Sequence, residues 1–176
     1  MKQPIIYLIA AAIVIFCSNC KKNNSSPQLP IETQVGANTF GCKVNGEIWL
    51  PNGAAFTTPA YDVQYYKSDG YLYLLLNQSN TNQAIKIKMK GVFNIGIYSL
   101  DPSNVRAIEY INLHTNNNCI DYNKTNTTQT GIVEITKIDT TNKIVSGRFN
   151  GILSLISCPD INITEGRFDF EMTVYN

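Results

Sequence analysis

The sequence has one histidine, His114, and 15% charged residues, against about 25% in a typical globular protein. One histidine argues against a typical zinc site and against a histidine-based catalytic triad. The 14 Lys and Arg residues nearly balance the 13 Asp and Glu residues, so the net charge of +1 provides no basic field for phosphates. We therefore expect no nucleic-acid partner, no metal, no cofactor and no catalytic residue.

The apolar run near the N-terminus is short. Residues 5–16 are apolar, follow Lys2 and precede the polar residues 17–22, which is the layout of a secretory signal peptide. A helix that crosses a bilayer needs about 20 apolar residues, so a permanent transmembrane anchor is the weaker alternative. We expect residues 1–19 to be a signal peptide.

An apolar run that ends at Cys20 and is followed by Lys-Lys-Asn-Asn resembles the lipobox of bacterial lipoproteins. In those proteins this cysteine becomes the acylated first residue of the mature chain. Cys17 and Asn19 depart from the usual lipobox residues, but lipidation at Cys17 instead would place bulky Phe16 at the cleavage point. The resemblance implies palmitate-type acyl chains on Cys20 and a place in the cell envelope, on the outer membrane facing the periplasm or on the cell surface.

The rest of the chain divides into two parts. Residues 20–36 begin at the lipidated cysteine and continue as a polar, proline-containing stretch, which predicts a flexible tether. Residues 37–176 carry short runs of β-branched and aromatic residues separated by Asn, Gly, Asp, Ser and Pro. This pattern predicts an all-β domain, either a single antiparallel β-sandwich or a partly closed barrel, of roughly eight to ten strands.

Local signals define several strands. Asn45-Gly46 predicts a type I′ hairpin with Val44 opposite Glu47, and residues 67–70 and 139–142 predict two further hairpin turns. In the last predicted strand, apolar and polar side chains alternate. Its inward residues are Phe168, Phe170, Met172 and Val174, and its outward residues are Arg167, Asp169, Glu171 and Thr173.

Three segments are similar to a family of small lipoproteins of unknown function that is found widely in Bacteroidota. They are GANTFGCKVNGEIWLP at residues 36–51, TGIVEIT at 130–136 with SGRF at 146–149, and ITEGRFD at 163–169. The resemblance implies an extracytoplasmic β-rich domain without an assigned activity. In the repeated Gly-Arg-Phe of the last two segments, we expect each glycine to mark a bulge or a close approach and each phenylalanine to anchor the core.

Three cysteines remain once Cys17 and Cys20 are set aside, so at most one intramolecular disulfide forms among them. Cys119 and Cys158 lie in loop-like segments, whereas Cys42 lies within a predicted strand. We therefore expect a Cys119–Cys158 disulfide, and pairing of Cys42 with either partner remains open.

The hairpin over residues 61–76 contains a candidate binding site. With residues 67–70 as its turn, Tyr66 lies opposite Tyr71, and Leu72, Leu74 and Leu76 of the second strand share the core face. The opposite face combines flat rings with hydrogen-bonding groups that suit a sugar or a protein partner. A purely structural role is the alternative, because tyrosine is a good strand residue. The candidate residues are Asp62, Gln64, Tyr66, Tyr71 and Tyr73.

These observations predict a membrane-anchored envelope lipoprotein whose domain is a non-catalytic binding or structural module, with a glycan or an envelope protein as partner. The alternative is an envelope hydrolase such as a glycosidase, which needs two carboxylates about 5 to 10 Å apart. Alternation with apolar residues places the candidate carboxylates on a solvated strand face and favours the non-catalytic interpretation. Those carboxylates belong to Glu165, Asp169 and Glu171.

Overall fold

The computed structural model describes residues 27–54, 58–114, 118–123 and 125–176, and the predicted signal peptide and Cys20 lie outside these ranges. The described residues form twelve strands in two six-stranded sheets. The strands are β1 (Thr39–Val44), β2 (Glu47–Trp49), β3 (Tyr61–Tyr66), β4 (Tyr71–Gln78), β5 (Gln83–Met89), β6 (Gly96–Ser99), β7 (Arg106–Asn112), β8 (Asp121–Tyr122), β9 (Thr127–Asp139), β10 (Ile144–Leu155), β11 (Ile161–Glu171) and β12 (Thr173–Tyr175).

The two sheets pack face to face, and the predicted all-β sandwich is confirmed. Sheet 1 has the order β2-β1-β11-β10-β9-β6 and sheet 2 the order β12-β3-β4-β5-β7-β8, so neither closes into a barrel. Alternate side chains of each strand fill the core between them, as Leu72, Leu74 and Leu76 do on β4. More strands form than expected because β2, β8 and β12 have only two or three residues each, too few for a periodic signal.

All three predicted hairpins form, the first two with the predicted registers and the third with its turn one residue later than predicted. Asn45 and Gly46 both have positive φ, at 50° and 88°, and Val44 pairs with Glu47 across the turn. Residues 67–70 connect β3 to β4 with Tyr66 opposite Tyr71. The third hairpin joins β9 to β10 through residues 140–143.

The two Gly-Arg-Phe repeats form reciprocal pairs between β10 and β11. Gly147 lies opposite Phe168 and Gly166 lies opposite Phe149. A Cβ atom added to Gly166 would lie 2.6 Å from the Phe149 ring, and one added to Gly147 would lie 2.6 Å from the Phe168 ring. Both phenylalanines are buried in the core. Close approach by the Phe149 ring explains glycine at 166, whereas at 147 an added Cβ would also meet the Glu134 carbonyl oxygen of β9, which is nearer than the Phe168 ring.

The last predicted strand is wrong in two respects. It is two strands, because the chain leaves sheet 1 after Glu171 and enters sheet 2 as β12, which pairs parallel with β3. The inward placement of Phe168, Phe170 and Met172 is correct, and Val174 packs against the core. Asp169, however, is 1% exposed instead of solvated, because a distant segment of the chain covers it.

That segment is residues 29–37, here called the N-terminal strap, which crosses the outer face of sheet 1. Its Glu32 carboxylate accepts hydrogen bonds from Arg148 at 2.6 and 2.9 Å, and the Pro30 carbonyl accepts one from Arg167 at 3.4 Å. Lys137 donates to the carbonyl of Gln34 at 2.9 Å. The predicted tether, residues 20–36, therefore contacts the domain through its last residues.

The strap is held at Asp169. The carboxylate accepts hydrogen bonds from the hydroxyls of Thr33 (2.6 Å) and Ser146 (2.7 Å). It also accepts them from the backbone N–H groups of Val35, Gly36 and Ala37, at 3.0, 2.9 and 3.1 Å. Burial by itself raises the pKa of Asp169, but these donors outweigh it and lower the pKa to about 2.

Candidate functional site

The tyrosines of the β3–β4 hairpin lie on the outer face of sheet 2. Tyr66 is opposite Tyr71, and Gln64 is opposite Tyr73. The intervening residues, such as Val63 and Leu72, point inward and are buried. The strand period of two therefore gathers the predicted binding residues on one half-buried surface.

A fourth tyrosine joins this surface from β12. Tyr175 pairs in register with Tyr66, and their rings stack with centroids 4.7 Å apart and planes inclined by 15°. The sequence offers a partial signal, since the alternation that puts Val174 inward puts Tyr175 outward. It does not show that β12 enters sheet 2. We call the surface formed by Asp62, Gln64, Tyr66, Tyr71, Tyr73 and Tyr175 the tyrosine face.

The rings of the tyrosine face form an unbroken row. Tyr66 and Tyr71 have centroids 5.9 Å apart with planes at 37°, and Tyr71 and Tyr73 have centroids 6.5 Å apart with planes at 20°. Ring contacts of this kind stabilise the row beyond the burial of area. Beside the row lies a shallow pocket of about 340 Å³, whose lining also includes Ser68 and Asp69.

Polar groups of the face are oriented by one another. The Gln64 side-chain amide donates to the Asp62 carboxylate at 2.7 Å, and the Tyr66 hydroxyl donates to the Gln64 side-chain oxygen at 3.0 Å. Within the described part of the chain, the hydroxyls of Tyr71 and Tyr73 have no hydrogen-bond partner. They are therefore placed to donate to, or accept from, a bound molecule.

Both free hydroxyls stay protonated. Burial raises the pKa of Tyr71, and the neighbouring Tyr73 and Glu109 raise it further. Burial also raises the pKa of Tyr73, with Asp62 and Glu109 adding to the effect. Tyr71 and Tyr73 thus present neutral phenols throughout the physiological pH range.

Two lysines near the tyrosine face are paired with acidic groups. Lys88, next to Tyr73 on β5, forms an ion pair with the buried Glu109 at 2.7 Å. Lys90 lies 3.4 Å from the carboxylate of Asp69. These pairings leave little local field to attract a polyanion.

Of the three carboxylates of the hydrolase alternative, Asp169 and Glu165 are engaged within the protein, and Glu171 is exposed on β11. Asp169 is buried beneath the N-terminal strap, and its oxygens are occupied by five donors. Glu165 is on the exposed side and forms an ion pair with Lys43 at 2.6 Å. Nothing in this arrangement supports a pair of carboxylates that flank a substrate.

A cavity of about 340 Å³ lies between the N-terminal strap and sheet 1. The two arginines that line it bind the strap, since Arg148 forms an ion pair with Glu32 and Arg167 donates to the Pro30 carbonyl. Arg148 also forms an ion pair with Glu134 on β9. Among the residues that the structure describes, no group of three His, Cys, Asp or Glu side chains could hold a metal. His114 lies exposed after β7.

The cysteines have distinct environments. Cys119 and Cys158 form a disulfide, which is the pairing expected from their loop positions. Cys42 is buried in β1, and burial raises its thiol pKa to about 12. The predicted lipidation at Cys20 falls outside the described residues. Within the described ranges, no helix has the length and apolar character needed to span a membrane.

Residues 38–171 match the model of a domain of unknown function, DUF6252. No curated protein and no solved structure matches the chain. The match extends from the start of β1 to the end of β11, which is nearly all of the sandwich. The chain therefore belongs to the DUF6252 family of uncharacterised domains.

Proposed function

We propose that this protein is a non-catalytic binding module of the bacterial envelope, anchored by lipid on Cys20, and that its tyrosine face binds a glycan. The observation that carries the proposal is the row of four tyrosines beside the ordered Gln64–Asp62 pair. Aromatic rings stack on the apolar faces of sugars, and amides, carboxylates and phenols bind sugar hydroxyls. Nucleic acid is disfavoured by the net charge of +1.

The position of the tyrosine face is compatible with anchoring. The N-terminal strap lies on sheet 1, and the tyrosine face is on the outer side of sheet 2, so the chain approaches the domain on the sheet opposite the binding surface. A ligand on the tyrosine face would not compete with the strap. This arrangement leaves the tyrosine face accessible in a membrane-anchored module, which we propose is held on the outer membrane and faces the periplasm or the cell exterior.

Replacing Tyr66, Tyr71 and Tyr73 with alanine together is expected to weaken glycan binding by about a hundredfold. Loss of a tyrosine at the centre of a binding surface typically costs about 1 kcal/mol or more. Binding is measured on a glycan array, with isolated envelope polysaccharide as a second probe. The variant should keep its far-ultraviolet circular dichroism, because all three side chains point away from the core.

A matched variant with phenylalanine at the same three positions keeps the rings and removes the hydroxyls. It should retain part of the affinity if stacking and hydrogen bonding both contribute. If the parent binds no glycan, the proposed ligand is wrong. If the alanine variant binds as the parent does, the tyrosine face is not the site.

Replacing Cys20 with serine is expected to release the protein from the membrane or to block its processing, because serine cannot accept the thioether-linked lipid. The test expresses the full chain in a bacterial host that processes lipoproteins. The parent should partition into the detergent phase and the variant should not. Cys17→Ser is the matched control and should leave partitioning unchanged. Membrane association and mature size that Cys20→Ser does not alter would contradict lipidation at this residue.

A further inference from the structure

The β6 edge of sheet 1 carries an exposed apolar stripe. Phe93, Ile95 and Ile97 are 56%, 66% and 67% exposed, and residues 91–100 include no charged side chain. Proteins normally protect sheet edges with charges, prolines, bulges or very short strands. The other edge strands, β2, β8 and β12, have only two or three residues, whereas β6 has four.

The stripe is held firmly in place. The N–H of Val92 donates to the Gly70 carbonyl at 2.9 Å, and the Tyr65 hydroxyl donates to the Val92 carbonyl at 2.8 Å. Val92 itself is fully buried. On the other side of the loop, the Tyr98 hydroxyl donates to the Asn94 carbonyl at 2.8 Å. The apolar side chains are thus presented by an anchored backbone.

The register of β6 shows which backbone groups point to the open side. The N–H of Leu100 donates to the carbonyl of Gly131 on β9 at 3.0 Å. In an antiparallel pair, alternate residues bond to the same neighbour, so Gly96 and Tyr98 also bond to β9. The N–H and C=O groups of the odd-numbered residues, Ile97 among them, then point away from the sheet. In the described part of the chain no strand pairs with β6 on that side.

We propose that two copies of this chain associate through β6, as antiparallel strands about a two-fold axis that joins their first sheets into one continuous sheet. The backbone groups of Ile97 and its odd-numbered neighbours would pair with those of the second copy. An odd residue then meets an odd residue in every such register, so the exposed Ile97 side chains of both copies share the outer face, with Ile95 just before the strand. The proposal is independent of the function assigned to the tyrosine face.

The chemistry of the stripe favours a second copy over a foreign strand. Because residues 91–100 carry no charge, a two-fold axis brings no like charges together within the stripe, and the surface is self-complementary. The Arg106 guanidinium nearby lies over the half-buried Tyr98 ring, 5.4 Å from its centroid. A site that selects a different polypeptide normally contains charged or polar groups that discriminate between partners. The contact is small, which predicts a weak dimer whose amount depends on protein density at the membrane.

The test is cross-linking of the full chain in intact cells. Ile97→Cys, treated with a short thiol-specific cross-linker, should give a covalent dimer of two copies of the chain, identified by mass spectrometry. Ile156→Cys is the matched control, because Ile156 is 91% exposed but lies in the β10–β11 loop far from β6. Cys42 is buried and should not react.

A second variant tests the edge itself. Adding Ile95→Lys to Ile97→Cys should reduce the covalent dimer by about tenfold or more, since a lysine beside a sheet edge opposes edge-to-edge strand pairing, whereas Ile156→Lys should not. Equal cross-linking at positions 97 and 156, or a yield that Ile95→Lys does not lower, would overturn the proposal. So would an adduct in which Ile97→Cys is joined to another polypeptide instead of a second copy.

Discussion

Replacing Asp169 with alanine is expected to lower the free energy of unfolding by about 3 to 5 kcal/mol. The change removes a carboxylate that accepts five hydrogen bonds and leaves their donors without a partner where the N-terminal strap meets sheet 1. For a domain of this size, the midpoint of thermal unfolding should fall by about 10 °C. Chemical denaturation of the full chain in detergent measures the change directly.

The matched control is Glu171→Ala on the same strand. The Glu171 side chain is exposed, so its removal should change the free energy of unfolding by about 0.5 kcal/mol or less. Thr33→Val removes one of the five donors and should cost about 1 kcal/mol. If Asp169→Ala proves as mild as Glu171→Ala, the carboxylate does not hold the strap.

Asp169 also gives the stability a defined dependence on pH. Its pKa falls from an ordinary 3.8 to about 2 in the folded protein, so the unfolded chain binds the proton more readily. The resulting contribution, about 2 kcal/mol, is fully present above pH 4 and is lost as the pH falls toward 2. The difference in unfolding free energy between the parent and Asp169→Asn should therefore shrink in that window and stay constant between pH 5 and pH 8.

Replacing both Cys119 and Cys158 with serine is expected to lower the free energy of unfolding by about 4 kcal/mol. The disulfide closes a loop with a sequence separation of 39 and joins the β7–β8 connection of sheet 2 to the β10–β11 connection of sheet 1. In the chain-entropy model, a cross-link of this span restricts the unfolded ensemble by that amount. Denaturation of the oxidised parent and of the double variant gives the difference.

Reducing agent provides the control for the disulfide. It should shift the unfolding of the parent toward that of the double variant and leave the double variant unchanged. Peptide mapping without reduction should find Cys119 linked to Cys158 and Cys42 unpaired. Recovery of Cys158 as a free thiol under oxidising conditions would show that the pairing is wrong.

Features that depend on neighbours in the sequence could be predicted from it. The turn at Asn45-Gly46 requires positive φ, which Asn and Gly tolerate, so it fixes the β1–β2 register. The β3–β4 register follows from a four-residue turn, and it placed Tyr66, Tyr71 and Tyr73 on one face. The lipid anchor and the glycan ligand remain predictions.

Apart from the disulfide, the features that depend on distant parts of the chain could not be predicted. The alternation around Asp169 indicates a solvated side chain, and only the strap, more than 130 positions earlier, makes it buried. Tyr175 joins the tyrosine face because the chain changes sheets at Met172, which is buried and continues the apolar alternation without a break. Alternation of apolar and polar residues indicates which side of a strand is buried and which is exposed. It does not indicate which sheet the strand enters or which segment covers its outer face.

The N-terminal strap also determines how the domain responds to force. A pull on the chain before residue 29 first reaches the contacts of Pro30 and Glu32 with Arg167 and Arg148. It then reaches the Asp169 cluster, and it loads β1 only after those bonds have broken. Because β1 is paired on both sides, with β2 and β11, its removal would open the core. We therefore expect the polar contacts of the strap to break first under tension, before force is applied to β1 and the hydrophobic core.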